Sequence, residues 1–463
     1  MYIHNSGEGK TREMTFIHAK DALTPYGWRG DVRLAIEEGK IQAVESGVTH
    51  QPDDERCDLL IPGMPNVHSH AFQRGMAGLA ETRGPASDNF WTWREAMYRF
   101  ALTMTPDDVE AVAAMLYVEM LETGFTRVGE FHYLHHDRDG QPYGDIGEMA
   151  SRIVAAASQS GIRLTLLPCF YAHSTFGGEP PRDEQRRFVC SLDQYSRLLE
   201  GVRAAVTPLA GAGIGVAPHS LRAVTDEELT ALVAMAPDGP IHIHVAEQTK
   251  EVEDCLSWSG ARPVEYLLSH APVDQRWCLI HATHMTRPET VRMALSGAVA
   301  GLCPVTEANL GDGVFNATLF RTQGGRFGVG TDSNVSIGVS EELRQLEYAQ
   351  RLTHRERNVM GEARASTGRA LYLAALRGGG VALGAPLGLE AGAPADFLSL
   401  RRDHPLTEGL KPDGVLDVWI FVERTIVDNV WIGGEKPVEG GRHREREAIE
   451  RRFRTVVKTL REG

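Results

Sequence analysis

Pro62-Gly63-Met64-Pro65-Asn66-Val67-His68-Ser69-His70-Ala71-Phe72-Gln73-Arg74 is the stretch of this chain that decides its fold. It follows the apolar run Leu59-Leu60-Ile61, which predicts a buried strand with the two histidines at its carboxyl end. Alternate residues of a strand face the same side, so His68 and His70 can point at one object while Ser69 points away. A His-x-His pair is a weak metal signal by itself, and the rest of the chain must decide.

Three further strand-like runs end in residues of the same kind. They are Ile241-His242-Ile243-His244-Val245-Ala246-Glu247, Leu279-Ile280-His281-Ala282-Thr283-His284 and Val329-Gly330-Thr331-Asp332-Ser333. Because the carboxyl ends of parallel barrel strands meet at one face, a single metal at that face would explain all four strand ends together. His242 lies deeper in its strand than His244, and we expect it to be structural.

The middle of the chain alternates strand and helix patterns from about residue 59 to 375. Strands are predicted at 59–61, 125–131, 162–170, 214–218 and 299–304, and at the runs that hold His244, His281 and Asp332; helices are predicted at 107–123, 145–160 and 183–208. Eight strands separated by helices predict an α/β fold, a (β/α)₈ TIM-type barrel with insertions.

Both ends of the chain are rich in strand patterns. The strands are predicted at 14–20, 32–36 and 39–44, and again at 395–400, 417–422 and 425–431. Two- or three-stranded pieces are marginal alone, so we expect the two ends to pool into one small β-sandwich. The predicted segments are 1–58 for the first part of the sandwich, 59–377 for the barrel, and 378–463 for the rest. Gly378-Gly379-Gly380 is interpreted as the exit from the barrel, and 443–462 as an amphipathic helix.

Composition limits the possible partners. The chain has 463 residues and a net charge of −14, which argues against binding to nucleic acid or to an anionic membrane surface. An anionic ligand would have to meet a local cluster of Arg or His. No apolar run reaches membrane-spanning length, and residues 1–13 are polar. Six scattered cysteines without a Cys-x-x-Cys pattern predict reduced thiols and a cytoplasmic location.

The strand-end residues suggest their own chemistry. Three imidazoles and one carboxylate suit zinc, and His68, His70, His244 and Asp332 form the candidate ligand set. Asp332 could instead be a helix N-cap. Glu247 follows His244 by three residues and could carry a proton to a leaving nitrogen, or it could be a solvated residue at a helix start.

The number of metal ions depends on His281 and on the fourth strand. His281 could be a further ligand in a two-metal site or a polarising group in a one-metal site. Two-metal barrels generally use a bridging Lys at the end of strand four, and this strand ends Ala217-Pro218-His219-Ser220. The sequence therefore favours one metal ion.

The pattern of His-x-His, His-x-x-Glu, His and Asp resembles the amidohydrolase superfamily, in its mononuclear deaminase branch. Two local sequences are similar, more narrowly, to the formimidoylglutamate deiminase family. They are residues 62–74 and His132-Tyr133-Leu134-His135-His136-Asp137. That resemblance implies hydrolysis of N-formimino-L-glutamate to N-formyl-L-glutamate and ammonia in histidine degradation, through attack of metal-bound hydroxide on the formimino carbon. It implies one zinc per chain, with iron as the other candidate metal.

The resemblance also implies residue roles. The ligands are His68, His70, His244 and Asp332, the catalytic residues are Glu247, His281 and Asp332, and the residues that hold the substrate are Gln73, Arg94, Tyr133, His219 and Arg222. The expected partners are a small dianionic substrate and a second copy of the chain in a homodimer. The residues alone do not select these arginines, since Arg74, Arg83 and Arg127 lie nearby in the sequence.

Two other functions compete with this one. The first is deamination of a heterocycle such as a purine or pterin, for which Trp91 and Trp93 would be stacking groups. The second is a non-catalytic barrel that serves as a binding module. Such proteins usually lose ligand positions, and here all are present.

Overall fold

The computed structural model describes residues 14–83, 88–385 and 387–462. Its strands are β1 (Thr15–Thr24), β2 (Gly27–Glu37), β3 (Lys40–Ser46), β4 (Glu55–Pro62), β5 (Met64–Ser69), β6 (Phe125–His132), β7 (Arg163–Phe170), β8 (Gly213–Ile214), β9 (Ala217–Pro218), β10 (Ile241–Val245), β11 (Trp277–His281), β12 (Val299–Leu302), β13 (Arg326–Val329), β14 (Phe397–Leu400), β15 (Val427–Ile432), β16 (Glu435–Glu439) and β17 (Arg442–His443).

Its helices are α1 (Phe90–Ala101), α2 (Pro106–Glu122), α3 (Glu148–Ser160), α4 (Leu192–Val206), α5 (Asp226–Met235), α6 (Thr249–Ser259), α7 (Pro263–His270), α8 (Arg287–Ser296), α9 (Pro304–Leu310), α10 (Ala317–Thr322), α11 (Val339–His354), α12 (Thr367–Ala382), α13 (Pro412–Phe421) and α14 (Arg446–Glu462). Short 3₁₀ turns lie at Ala71–Met76, Asp183–Gln185 and Arg424–Ile426. The predicted polar lead, residues 1–13, lies outside the described residues.

The central sheet is a closed parallel barrel. Its strands follow the order β10-β11-β12-β13-β5-β6-β7-β8, and β9 pairs with β7. Val216 pairs with Ile241, and Ser220 with His244, which closes the barrel between β9 and β10. The predicted (β/α)₈ barrel is therefore confirmed, with a fourth strand split into two short pieces.

The strands of the two chain ends form one second sheet. Its order is β17-β16-β15-β14-β4-β1-β2-β3, so C-terminal strands continue directly into N-terminal ones. The Ala395 N–H donates to the Gly39 carbonyl at 2.9 Å, and the Gly434 N–H donates to the Ala395 carbonyl at 3.0 Å. These bonds bring the two ends of the sheet together around a small apolar core that contains Leu34 and Phe397. The pooled β-structure predicted from the sequence is confirmed.

The chain passes from this sheet into the barrel at Gly63. The prediction that Leu59-Leu60-Ile61 carries the histidines was wrong, because these residues belong to β4 of the terminal sheet. The histidines lie on the next strand, β5. A Cβ at Gly63 would lie 2.2 Å from the Thr126 side chain, so the crossing needs a residue without one. Because the residues on both sides of Gly63 are apolar, the sequence pattern predicted one strand where the structure has two.

The predicted barrel exit at Gly378-Gly379-Gly380 was also wrong. These glycines lie inside helix α12, which packs on β12, β13 and β5. A Cβ at Gly378 would lie 1.9 Å from the Phe327 carbonyl oxygen, and one at Gly379 would lie 2.4 Å from the Pro65 ring. The glycines therefore allow a helix to approach the strands closely, and they do not end it.

Two predicted elements differ from the structure. Residues 417–422 were predicted as a strand because they are rich in β-formers, but they belong to α13, which begins at Pro412 and buries Val415, Leu416, Trp419 and Ile420 at helical spacing. The helix predicted over 183–208 begins only at Leu192.

The described part of the chain contains no helix that is both long and apolar enough to cross a membrane. The division into segments 1–58, 59–377 and 378–463 stays a prediction.

Candidate active site

The candidate residues follow the carboxyl ends of barrel strands, where the backbone is unusual. Ala246, His281, Ala282, Asp332 and Asn334 all have positive φ angles, between 46° and 66°. Such conformations cost free energy for residues with a side chain and cluster at functional sites. In this structure they turn strand ends β10, β11 and β13 toward the same space above the barrel.

The four predicted metal ligands meet in that space. Their candidate ligand atoms all lie within 4.8 Å of one another, and all four residues are buried. The His68 Nε2 atom lies 3.2 Å from His70 Nε2 and 3.0 Å from His244 Nε2. The Asp332 Oδ1 atom lies 3.4 Å from His68 Nε2 and 3.3 Å from His70 Nε2.

The protonation of these imidazoles fits a cation between them. His70 Nδ1 lies 2.8 Å from the Phe131 carbonyl oxygen, and His244 Nδ1 lies 2.9 Å from the His219 carbonyl oxygen. Each Nδ1 must therefore carry the proton, which leaves each Nε2 with a lone pair. Burial lowers the pKa of His68, His70 and His244, which keeps the rings neutral. Converging imidazole lone pairs of this kind fit a metal ion.

A buried amide network holds the ligand strands in register. The Asn66 side chain donates to Thr331 Oγ1 at 2.8 Å and accepts from the Thr331 N–H at 3.1 Å. The Asn334 side chain donates to the His70 carbonyl at 3.0 Å, and the His68 carbonyl accepts from the Thr331 N–H at 3.0 Å. These bonds fix β5 against the end of β13, and so fix the ligands that they carry.

Glu247 is held over the ligand group by a second glutamate. The Glu251 carboxylate accepts from the Ala246 N–H at 3.0 Å and from the Glu247 N–H at 3.1 Å. Glu247 is buried, so it is not the solvated residue that was the alternative interpretation. Burial raises the pKa of Glu247 to about 7, although the charges of His281 and Arg222 oppose the shift. A carboxyl group with such a pKa can both take and give a proton near neutral pH.

His281 lies between three carboxylates. Its Nδ1 is 3.3 Å from Glu307 Oε1, and its Nε2 is 3.7 Å from Glu247 Oε1 and 3.8 Å from Asp332 Oδ2. Burial alone would lower the pKa of His281, but the charges of Glu247, Glu307 and Asp332 raise it to about 10. His281 therefore stands beside the ligand group, with one ring nitrogen facing the space that a reacting group would occupy.

A cavity opens above the ligand group. All five residues assigned to the substrate line it, namely Gln73, Arg94, Tyr133, His219 and Arg222. The Gln73 Nε2 donates to the Tyr133 hydroxyl at 2.7 Å, and among the described atoms the Gln73 Oε1 has no partner. The cavity also borders His70, so a ligand bound in it would touch the metal site.

Two guanidinium groups line this cavity, that of the buried Arg222 and that of the half-buried Arg94. Among the described residues neither forms a direct ion pair, and the Nε atom of each is buried without a hydrogen bond. Burial lowers the pKa of Arg94, whereas the charges of Glu251 and Glu247 raise the pKa of Arg222 against the effect of burial. Arg94 instead rests on the Trp91 ring, with its central carbon 4.5 Å from the ring centroid. A buried N–H without an acceptor is costly, and the carboxylate of an anionic ligand would supply that acceptor.

The other arginines near these in the sequence have partners elsewhere. Arg74 pairs with Glu119 at 2.8 Å, and Arg127 donates to Thr165 at 3.1 Å and to the Gly211 carbonyl at 2.9 Å. Arg83 is exposed and does not line the cavity. The structure thus separates Arg94 and Arg222 from the alternatives that the sequence left open.

Several nearby histidines have structural roles. The rings of His135, His136 and His242 bond to the carbonyls of Cys169, Val189 and Ala382, each at 2.8 Å. The interpretation of His242 as structural agrees with this bond.

Sequence reasoning missed part of the cavity wall. Tyr98, Tyr171 and Phe188 line the cavity, and Glu307 binds His281 from the start of α9. Tyr171 directly follows β7, so the rule that functional residues follow barrel strands could have found it. Tyr98 lies on α1 inside the first long insertion, and no local pattern indicates that this helix folds back over the barrel.

A closed parallel barrel with this ligand group at its carboxyl-terminal face, and with buried acid–base groups beside it, is a metal-dependent hydrolase. Comparison with known proteins places the chain more narrowly. The family model described as Amidohydrolase family matches residues 59–436, and the model described as Formimidoylglutamate deiminase HutF, N-terminal domain, matches residues 14–58.

Individual relatives agree with these models. Formimidoylglutamate deiminase of Pseudomonas aeruginosa is 48% identical over 453 residues, which is 96% of this chain and 100% of the relative. The crystal structure of an amidohydrolase from Brucella melitensis has 59% identity and a TM-score of 0.94, covering 96% of this chain and 99% of that one. A 5-methylthioadenosine/S-adenosylhomocysteine deaminase of Natronomonas pharaonis is 29% identical, covering 88% of each chain. The chain therefore belongs to the amidohydrolase family and, within it, to the formimidoylglutamate deiminases.

Proposed function

We propose that this protein hydrolyses N-formimino-L-glutamate to N-formyl-L-glutamate and ammonia, as a step of histidine degradation. The observation that carries the proposal is that Arg94 and Arg222, each with a buried Nε that has no hydrogen-bond partner, line the same cavity as the ligand group. A substrate with two carboxylates would pair with both. The 48% identity with the Pseudomonas aeruginosa deiminase supports the same substrate.

We infer that the metal is zinc, with one ion per chain, held by His68, His70, His244 and Asp332. Imidazole and carboxylate donors in a tetrahedral number favour zinc. A second possible group, formed by His281, Cys303 and Asp332, shares Asp332 with the first. The absence of a Lys from the end of the fourth strand, Ala217-Pro218-His219-Ser220, supports one ion. Zinc in such a site acts as a Lewis acid and makes water nucleophilic near neutral pH.

The side chains would then divide the proton transfers. Glu247 takes a proton from the attacking water and delivers it to the departing nitrogen, while Asp332 and His281 orient the water. The water oxygen bonds to the formimino carbon as the first water proton reaches the terminal nitrogen, so that the C=N double bond becomes single. Glu247 then transfers the remaining hydroxyl proton to the same nitrogen, the C–N bond breaks as the formyl C=O forms, and ammonia leaves. Gln73, Tyr133 and His219 hold the substrate between the ligand group and the two arginines.

The test is ammonia release from N-formimino-L-glutamate by the purified zinc-loaded protein, with N-formyl-L-glutamate identified by mass spectrometry. We expect equal amounts of the two products. If ammonia is released from guanine or adenosine at a higher kcat/KM, the heterocycle alternative replaces this proposal. In that alternative the rings of Trp91 and Trp93 stack on the substrate, but the Trp91 ring already contacts the Arg94 guanidinium.

The cytoplasmic location and the homodimer remain part of this proposal. All six cysteines are free thiols, which supports a reducing compartment. Light scattering on the protein eluted from a size-exclusion column would give the mass of the assembly, which should be twice that of one chain for a homodimer.

A further inference from the structure

The outer wall of the cavity carries two tyrosines joined by one glutamine. The Gln185 Nε2 donates to the Tyr171 hydroxyl at 2.7 Å and to the Tyr98 hydroxyl at 3.2 Å. The Gln185 Oε1 is occupied as well, since it accepts from the Arg182 N–H at 2.8 Å. Gln185 is completely buried, and Tyr98 and Tyr171 are nearly so. The amide group therefore has one orientation and is held in place.

This arrangement leaves a hydroxyl proton for a ligand. Each phenol oxygen accepts one hydrogen from the amide, so each O–H is a donor toward something else. Even if one phenol donates to the other, the second keeps its proton free. Burial raises the pKa of Tyr171 well above its usual value, which keeps that phenol protonated. The wall thus presents O–H donors to the cavity.

Two guanidinium groups lie near the ring of Tyr98. The Arg94 central carbon is 5.5 Å from the Tyr98 ring centroid, and the Arg182 central carbon is 5.7 Å from it. Arg94 has the unpaired Nε described above. Neutral O–H donors beside a free guanidinium form a site for a carboxylate.

The position of the wall indicates which carboxylate it would bind. The Tyr171 ring is separated from the ligand His244 by the His219 ring, with centroid distances of 4.6 and 4.9 Å. Two rings, those of Phe188 and Tyr133, separate Tyr98 from the ligand His70, with successive centroid distances of 5.7, 5.0 and 4.8 Å. The side-chain carboxylate of formiminoglutamate lies two bonds farther from the reacting carbon than the α-carboxylate, and so it reaches this outer layer.

Resting on the proposed function, we propose that Tyr98 and Tyr171, with Arg94, bind the side-chain carboxylate of the substrate. Gln185 is a positioning residue, since it orients both hydroxyls without touching the substrate. The subsite discriminates glutamate-like substrates from those with an apolar side chain of equal length.

The test compares three substrates in four variants. Tyr98→Phe, Tyr171→Phe and Gln185→Met are assayed with N-formimino-L-glutamate, with N-formimino-L-norvaline, which lacks the side-chain carboxylate, and with N-formimino-4-aminobutyrate, which lacks the other carboxylate. Tyr195→Phe is the matched control, because Tyr195 is a buried phenol that donates to the Pro168 carbonyl at 2.7 Å and does not line the cavity.

We expect each cavity variant to raise KM for the two substrates that keep the side-chain carboxylate by about 10- to 100-fold, with kcat nearly unchanged. KM for the norvaline derivative should change less than about threefold. In Tyr195→Phe the KM values for the three substrates should stand in the same ratios as in the wild type. Equal effects on all three substrates would overturn the subsite and leave the deiminase activity standing. A wild-type protein that does not act on N-formimino-L-glutamate would overturn both the subsite and the proposed function.

Discussion

His70 and His244 show what the sequence could and could not predict at the scale of one residue. The alternation of side chains along a strand predicted correctly that His68 and His70 face the same point. The proton on each Nδ1 is fixed by carbonyl groups of Phe131 and His219, which lie on other strands. No local sequence pattern contains that contact, so the orientation of the rings follows only from the closed barrel.

Glu247 gives the first prediction. Glu247→Gln keeps the shape of the side chain and removes its titrating group. We expect turnover of N-formimino-L-glutamate to fall by about 10²–10⁴-fold, because that is the usual contribution of a general acid or base. Metal content, measured by elemental analysis, should match the wild type. A variant within a few-fold of wild-type turnover would place the proton transfer on another residue.

Arg94 and Arg222 give the second prediction. Arg94→Met and Arg222→Met should each lower kcat/KM by about 10²-fold or more, because each removes a charge-assisted contact to a carboxylate. Metal content should not change. Arg186→Met is the control, since Arg186 is bonded to the Arg138 carbonyl and to Asp183 outside the cavity.

A substrate with one carboxylate sharpens this test. The wild type should act poorly on formimino-glycine, and one of the two arginine variants should lose little further activity on it. If both substitutions lowered kcat/KM equally for formimino-glycine and for N-formimino-L-glutamate, the arginines would stabilise the fold and would not bind the substrate.

At the scale of elements, Gly378 explains why sequence reasoning failed at the end of the barrel. A run of three glycines usually indicates a loop, because glycine is unfavourable inside a helix. In α12 the cost is accepted because the helix axis must lie close to β13. Such a requirement comes from a strand some fifty residues earlier (Phe327) and leaves no trace in the local pattern.

The third prediction follows from that close approach. Gly378→Ala should destabilise the protein by about 2 kcal/mol or more, because its Cβ would overlap the Phe327 carbonyl. Gly201→Ala in α4 is the matched control, since its nearest neighbour would be 3.6 Å away and alanine favours a helix. Urea unfolding of the two variants should move the midpoint in opposite directions. Similar midpoints for both would show that α12 can shift without cost.

The fourth prediction concerns Glu130, which joins two barrel strands. Its carboxyl accepts from the Ala71 N–H at 2.7 Å, just after β5, and from the Tyr117 hydroxyl at 3.2 Å. Burial raises the pKa of Glu130 to about 8, although the bond from Ala71 opposes the shift. In the unfolded chain the pKa is about 4.3. The folded state therefore holds a proton that the unfolded state releases, so stability falls as pH rises from about 4 to about 8.

Glu130→Gln removes this dependence and keeps an acceptor for Ala71. The melting temperature of the variant relative to the wild type should rise steadily between about pH 5 and 8 and level off above that. Glu439→Gln, at an exposed carboxylate, is the control. A constant difference between variant and wild type across this range would mean that Glu130 is ionised in the folded protein.

At the scale of the whole molecule, the barrel itself was the most predictable feature. Ligand-type residues at the ends of separate apolar runs indicated that those strands share one edge of a parallel sheet, and eight strands alternating with helices favoured a closed barrel. The connection between the two sheets was less predictable, because β4 and β5 are both buried strands separated by one glycine. Net charge was informative too, because a chain of charge −14 needs a local cluster of positive charge to bind an anion, and Arg94 and Arg222 line the same cavity.

The last prediction concerns the metal and the stability of the whole chain. The ligands come from β5, β10 and the end of β13, so they are far apart in the unfolded chain and the metal binds tightly only to the folded state. Binding then stabilises the protein by about 2.7 kcal/mol when free zinc is a hundredfold above its dissociation constant. Removal with a chelator should lower the melting temperature and abolish ammonia release, and one equivalent of zinc should restore both. Because the candidate ligand atoms of His68, His70, His244 and Asp332 converge on one place, we expect elemental analysis to find one ion per chain. Two full equivalents, both needed for activity, would show that His281 and Cys303 hold a second ion after all.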